Sequence, residues 1–161
     1  MKRLIVLIAG LLVLAGCTTY VATPKEVFFP EPSGYVVDSA GVLTDSTEVA
    51  LTDQLKKFNE TAQIAVVTVK TTAPLSLEEY SIKLAEKFGV GDAKEDNGVI
   101  LLIVTEDRKL RIEVGYGLEG KITDAAAGQL LDNYVVPELR NGDWDAGALA
   151  GVIGIIKAIN K

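Results

Sequence analysis

The chain has 161 residues, 48% hydrophobic and 24% charged, enough apolar material for one core and a short appendage but not for two full domains. It contains no histidine and a single cysteine, which excludes Ser-His-Asp and Cys-His catalysis, His-containing zinc sites, an internal disulfide and Cys-based metal clusters. The formal charge of −6 and the lack of a long basic run exclude nucleic acid as a partner, leaving carboxylates, hydroxyls, amides, backbone and a metal to carry any chemistry.

Lys2 and Arg3 precede an apolar run from Leu4 to Gly16, too short to span about 30 Å of hydrocarbon but suited to a signal-peptide core. It ends in Leu14-Ala15-Gly16-Cys17, which resembles a bacterial lipobox. Residues 1–16 are therefore expected to be a cleaved lipoprotein leader, with Cys17 acylated and the chain anchored to the membrane of the cell envelope. Thr18 stands where an inner-membrane retention signal would place Asp, which points to the periplasmic face of the outer membrane in a cell with two membranes. Residues 17–34, with Pro24, Pro30 and Pro32, read as a tether whose apolar Val27-Phe28-Phe29 is available to dock on the domain.

From Tyr35 to Lys161 the chain reads as one domain. Thr44 or Asp45 can cap a helix over 47–60, with Val49, Leu51, Leu55 and Phe58 as its apolar face. Ile64 to Val69 and Val99 to Val104 are apolar runs expected of strands covered on both faces. Between them, Ser76 and Glu79 form a capping box for a helix that buries Tyr80, Leu84, Ala85 and Phe88 and stops at Gly89. A charged turn at 105–109 leads to an alternating hairpin strand, Leu110 to Val114. A third helix is expected over 124–139, bent at Pro137, and Asp143 can cap a last one over 144–159 after the Asn141-Gly142 break. Strand, helix, strand implies a right-handed crossover and a parallel pair, and the hairpin adds an antiparallel edge. The fold class is α/β: a three-layer α/β/α sandwich around a small mixed sheet.

Three patterns bear on chemistry. Gly115-Tyr116-Gly117-Leu118-Glu119-Gly120 matches GxGxxG, but no helix opens at the glycines and no second strand with an acidic end follows. Glycines that permit a tight loop with positive φ account for it better. Asp143-Trp144-Asp145 follows no buried strand, so Asp143 reads as a cap and not as an aspartyl nucleophile; Gly147 and Gly151 read as close helix packing within the domain. The third pattern is an edge. Antiparallel pairing brings the Asp92, Glu95, Asp96 and Asn97 loop beside the Glu113–Asp124 segment, and carboxylates with amides suit Ca²⁺, or less well Mg²⁺.

The pieces Val37-Asp38-Ser39-Ala40-Gly41-Val42-Leu43, Gln63 to Val69, Phe88-Gly89-Val90-Gly91, Asp96-Asn97-Gly98-Val99, Arg111 to Gly120, Thr123-Asp124 and Arg140-Asn141-Gly142-Asp143 together resemble the TPM-domain family of thylakoid-lumen repair proteins and bacterial envelope proteins. The resemblance implies the sandwich already inferred and a calcium site in some members, with an acid phosphatase activity attributed to plant relatives. Carried onto this chain, it makes Asp38, Asp96, Asn97, Glu119 and Asp124 the candidate metal ligands. As an enzyme, a metal held by Asp38, Asp96 and Asp124 would activate water with Glu119 as acid or base, a metal-dependent acid phosphatase. As a module, the same residues need only hold Ca²⁺ and order loops for an envelope protein partner. The scarcity of positive groups at that edge, Arg111 and Lys121 alone, favours a lipid-anchored module that assists assembly or turnover of membrane proteins.

Overall fold

The computed structural model describes residues 26–161, so the leader and Cys17 lie outside the described residues. Four strands, β1 (Val36–Asp38), β2 (Gln63–Val69), β3 (Gly98–Val104) and β4 (Lys109–Val114), form one sheet in the order β1-β2-β3-β4. The first three run parallel and β4 returns antiparallel beside β3. β2 and β3 are buried almost throughout, which is why they read as continuous apolar runs and not as alternating ones. β1 was not expected. Three residues carry no period of their own, and its place is set by parallel pairing of Val36 to Val66 and Asp38 to Thr68.

β1, β2 and β3 send alternate side chains to two separate cores, while β4 contributes to one of them. On one face Ile64, Val66, Val99, Leu101 and Ile103 meet Leu51 and Leu55 of α1 (Asp45–Phe58), with Val152 and Ile155 from the last helix. On the other, Ala65, Val67, Ile100, Leu102 and Val104 meet Tyr80 and Leu84 of α2 (Leu77–Phe88). α1 and α2 thus lie on opposite faces although the chain steps from β1 to β2 to β3 in one direction. The two crossovers are therefore of opposite hand, and the right-handed rule holds for only one of them.

The helix ends follow their capping chemistry. Thr44 accepts from Thr47 N, Ser76 and Glu79 make both bonds of the capping box, and Gly89 closes α2 at φ 58°. Val49 is a correction: it is 62% exposed, because the buried face of α1 runs through Thr47, Leu51 and Leu55. The expected third helix is α3 (Asp124–Leu130), a π-helical segment (Leu131–Val135) and α4 (Val136–Arg140). Pro137 has no N–H to donate and its ring crowds the carbonyl of Asn133, so the helix widens in the turn before it. α5 (Trp144–Ile159) is capped by Asp143, whose carboxylate accepts from Ala146 N at 2.9 Å. Gly147 and Gly151 let α5 close on Leu139, Leu101 and Val135, the packing expected of that pair.

The tether docks. Phe29 stacks on Tyr80 with ring centroids 4.6 Å apart, and the Tyr80 hydroxyl donates to Phe28 O at 2.8 Å. Lys87 donates to Phe29 O at 3.1 Å and pairs with Glu31 at 2.8 Å. Among the described residues no helix is long and apolar enough to cross a membrane.

Candidate functional site

The hairpin register places the start of β3 beside the end of β4, with Val99 opposite Val114. Beyond that pair, Gly115 N donates to Gly98 O at 2.8 Å and the chain enters a single 3₁₀ turn, Tyr116–Leu118. Asp96 fastens this turn to the 92–97 loop. Its carboxylate accepts from Tyr116 N at 3.0 Å, and its carbonyl accepts from Gly117 N at 3.0 Å. Asp96 itself takes a left-handed conformation, φ 47°, which aspartate tolerates better than most residues. Asp92 shapes the loop from within, accepting from Lys94 N at 2.8 Å and Glu95 N at 3.2 Å.

The glycine motif is explained here, with one correction. Gly115 has φ −67°, and among the described residues neither it nor Gly117 has positive φ. Space is what requires them: a Cβ on Gly115 would overlap Asp96 O, and one on Gly117 would overlap Glu95 O. The loop backbone occupies the room a side chain would take.

A groove of about 390 Å³ opens along this junction, between α2 and the ends of β3 and β4. Glu86, Asp96, Glu113 and Glu119 line it, with Ile82 and Tyr116 among its apolar members. Tyr116 is 79% exposed and stands in the groove as an unburied aromatic. Glu113 is the most committed of the acids, accepting from buried Ser81 Oγ and from Arg111 Nε, each at 2.7 Å. Arg111 also reaches Glu78 at 3.9 Å, so its charge is shared between two carboxylates. Glu86 and Glu113 were not among the sequence-derived candidates. Their signal lay in position: Glu86 is on the flank of α2 next to Ala85, and Glu113 faces that flank from β4.

The five candidate ligands do not converge. Asp96 and Glu119 share the groove. Asn97 is turned to structural work, accepting from Asp92 N at 2.8 Å and donating to Thr61 O at 3.4 Å. Asp124 sits in the first turn of α3 after the Thr123 cap, where a carboxylate complements the helix dipole. Asp38 belongs to the opposite end of the sheet. It lies beside Thr68, whose β3 partner is Ile103, five residues and about 17 Å along the strand from Gly98. There it receives Thr68 Oγ1, Gly41 N at 3.2 Å and Leu43 N at 2.8 Å, closing the turn into α1. Around that turn, burial first and then Asp38 and Asp45 raise the Glu48 carboxyl above its ordinary range. A single cage drawing on Asp38, Asp96 and Asp124 is therefore not formed, and no group of three or more metal-ligating acids is found among the described residues. Ca²⁺ takes six to eight oxygens, so an ion held by Asp96 and Glu119 would keep much of its water.

The TPM-domain family model matches residues 36–158. Three solution structures share the fold. The N-terminal domain of a protein from P. gingivalis is 29% identical with a TM-score of 0.74, the match covering 84% of this chain and 94% of that one. The N-terminal domain of cg2496 from Corynebacterium glutamicum is 22% identical with a TM-score of 0.60, covering 85% of each chain. BA42 from the psychrophile Bizionia argentinensis is 19% identical with a TM-score of 0.63, covering 73% of this chain and 81% of that one. Among curated proteins no sequence matches the chain significantly.

Proposed function

We propose, from the premise that this chain belongs to the TPM-domain family, that it is a lipid-anchored module of the bacterial envelope whose acidic groove takes up Ca²⁺ and engages a membrane-protein partner during assembly or turnover. One observation carries the reading: four carboxylates line the groove, and the cation beside them, Arg111, is already paired with Glu113. Such a wall attracts a hard cation and repels a phosphate dianion. The phosphatase alternative would need a positive cradle for its substrate and a nucleophile or activated water. Neither is supplied by Asp96, Glu119 or Tyr116. With only two of the candidate ligands in the groove, the affinity for Ca²⁺ falls in the weak class of extracellular modules, on the order of 10⁻⁴–10⁻³ M.

The test is a calcium titration of the purified chain against a chelator control, with melting and calorimetry as readouts. Ca²⁺ at 100 times its dissociation constant would add about 2.7 kcal/mol and raise the melting midpoint. Asp96→Asn with Glu119→Gln should abolish that rise. Phosphomonoester turnover should stay at buffer background from acid to neutral pH. Identical melts with and without Ca²⁺ would refute the calcium reading, and a saturable hydrolysis lost on Asp96→Asn would replace the module with the enzyme.

A further inference from the structure

On the layer opposite the acidic groove, a second concavity of about 240 Å³ has the reverse electrostatic character. Lys121 from the segment before α3, Lys157 from α5 and Lys161 at the chain end converge on it, with the amides of Gln129 and Asn133 and the ring of Tyr134. No Asp or Glu side chain lines it, and none of the three lysines takes part in an ion pair among the described residues. In a chain carrying 22 acids against 16 basic residues, three ammonium groups around one hollow, against the single carboxylate of the chain end, are not the average surface.

The C-terminal end of α5 attracts lysines by its dipole, but that end is equivalent to roughly half a negative charge and cannot offset three. Lys121 meets it directly, donating to Ile159 O, and Lys157 stands in the last turn of the helix. Lys157 lies 5.5 Å from the centroid of Tyr134, which orients the ammonium and leaves its donors available. The π-helical turn supplies both Asn133 and Tyr134, and π-turns of this kind recur at functional sites because they re-aim side chains. Gly154 completes the floor, since a Cβ there would stand 3.0 Å from Tyr134 Cδ2 and displace the ring.

We propose that this hollow binds a phosphate-bearing anion, with Lys121, Lys157 and Lys161 supplying charge and Gln129 and Asn133 the directional hydrogen bonds. The phosphate can come from a soluble phosphate compound or from a phospholipid headgroup. The two sources are separated by calorimetric titration of the full chain at matched ionic strength. One arm uses inorganic phosphate, and the other glycerophosphoglycerol, the phosphodiester headgroup of phosphatidylglycerol. Saturable binding in the first arm alone identifies a soluble phosphate; binding in the second identifies the headgroup. In either arm Lys157→Gln should weaken the dissociation constant at least tenfold, and Lys157→Arg should restore most of it. Lys161→Gln, which lies beyond α5 and leaves folding untouched, should also weaken it several-fold. Absence of saturable binding in both arms, or equal binding by the Gln variants, would overturn the site.

Discussion

Replacing Gly117 with alanine tests how the glycine loop is built. A Cβ at that position would overlap Glu95 O and stand 3.0 Å from Asp96 O and 3.1 Å from Glu95 C. All three atoms are backbone, so no flexible side chain can swing away. Relief requires the 3₁₀ turn to part from the 92–97 loop, which breaks the bonds from Tyr116 N to the Asp96 carboxylate and from Gly117 N to Asp96 O, both 3.0 Å. At about 0.5–1.5 kcal/mol each, the loss is about 1–3 kcal/mol, the same range as overpacking a core. For a domain of this size that is a fall of roughly 2–12 °C in melting midpoint. Gly120 is the internal control: it has open space around it, and alanine there should be neutral or stabilising by up to about 1 kcal/mol. Denaturant titration followed by the fluorescence of the single tryptophan, Trp144, measures both variants. Equal stability of Gly117→Ala and Gly120→Ala would refute the close-approach explanation of the motif.

Tyr80→Phe removes the bond to Phe28 O and should cost about 1 kcal/mol by the same titration. Burial pushes the Tyr80 hydroxyl up to about 12, against about 10 for an unfolded tyrosine, so stability present below pH 10 should decline as pH rises toward 12, and the Phe variant should lose that part of the decline. The Thr44 backbone N–H holds the Asp145 carboxyl below its ordinary value, so its stabilisation is present above the unfolded carboxylate value and lost as pH falls through the folded one; Asp145→Asn should flatten that acid limb in a pH series of melts. Cys17→Ser should abolish incorporation of a labelled fatty acid, and equal labelling of variant and parent would rule out the anchor.

Much of this architecture was legible because its determinants are local. The Ser76–Glu79 box and the Asp143 cap are side-chain to backbone bonds across three residues, the Gly89 stop is a left-handed glycine whose N–H donates to Ala85 O four residues back, and both ends of α2 and the start of α5 followed from them. The Asp96 and Gly115 edge was legible for a topological reason, since hairpin pairing dictates which ends meet. Asp38 was misplaced for the complementary reason. Its position depends on β1, a strand too short to announce itself, which is held by pairing with β2 and lies at the opposite end of the sheet. The π-turn was hidden as well: Pro137 signals a disturbance, but whether a helix bends, breaks or widens is decided by what packs against it.

The opposite hand of the two crossovers has a consequence for coverage. Four strands at about 4.8 Å spacing make a sheet about 15–19 Å wide, while one helix with its side chains shields about 10 Å. The face opposite α1 receives only α2, so a strip must remain on each flank of that helix. Along one flank the strip is roofed by chain from outside the sandwich, with Phe29 lying on Tyr80 and Lys87 holding Phe29 O. Along the other, beside Ala85 and Glu86, nothing in the described chain supplies a roof, and the strip remains as the acidic groove. The open site and the docked tether are two answers to one shortage of helix, and lengthening α2 cannot close either, because the deficit lies across the sheet and not along it.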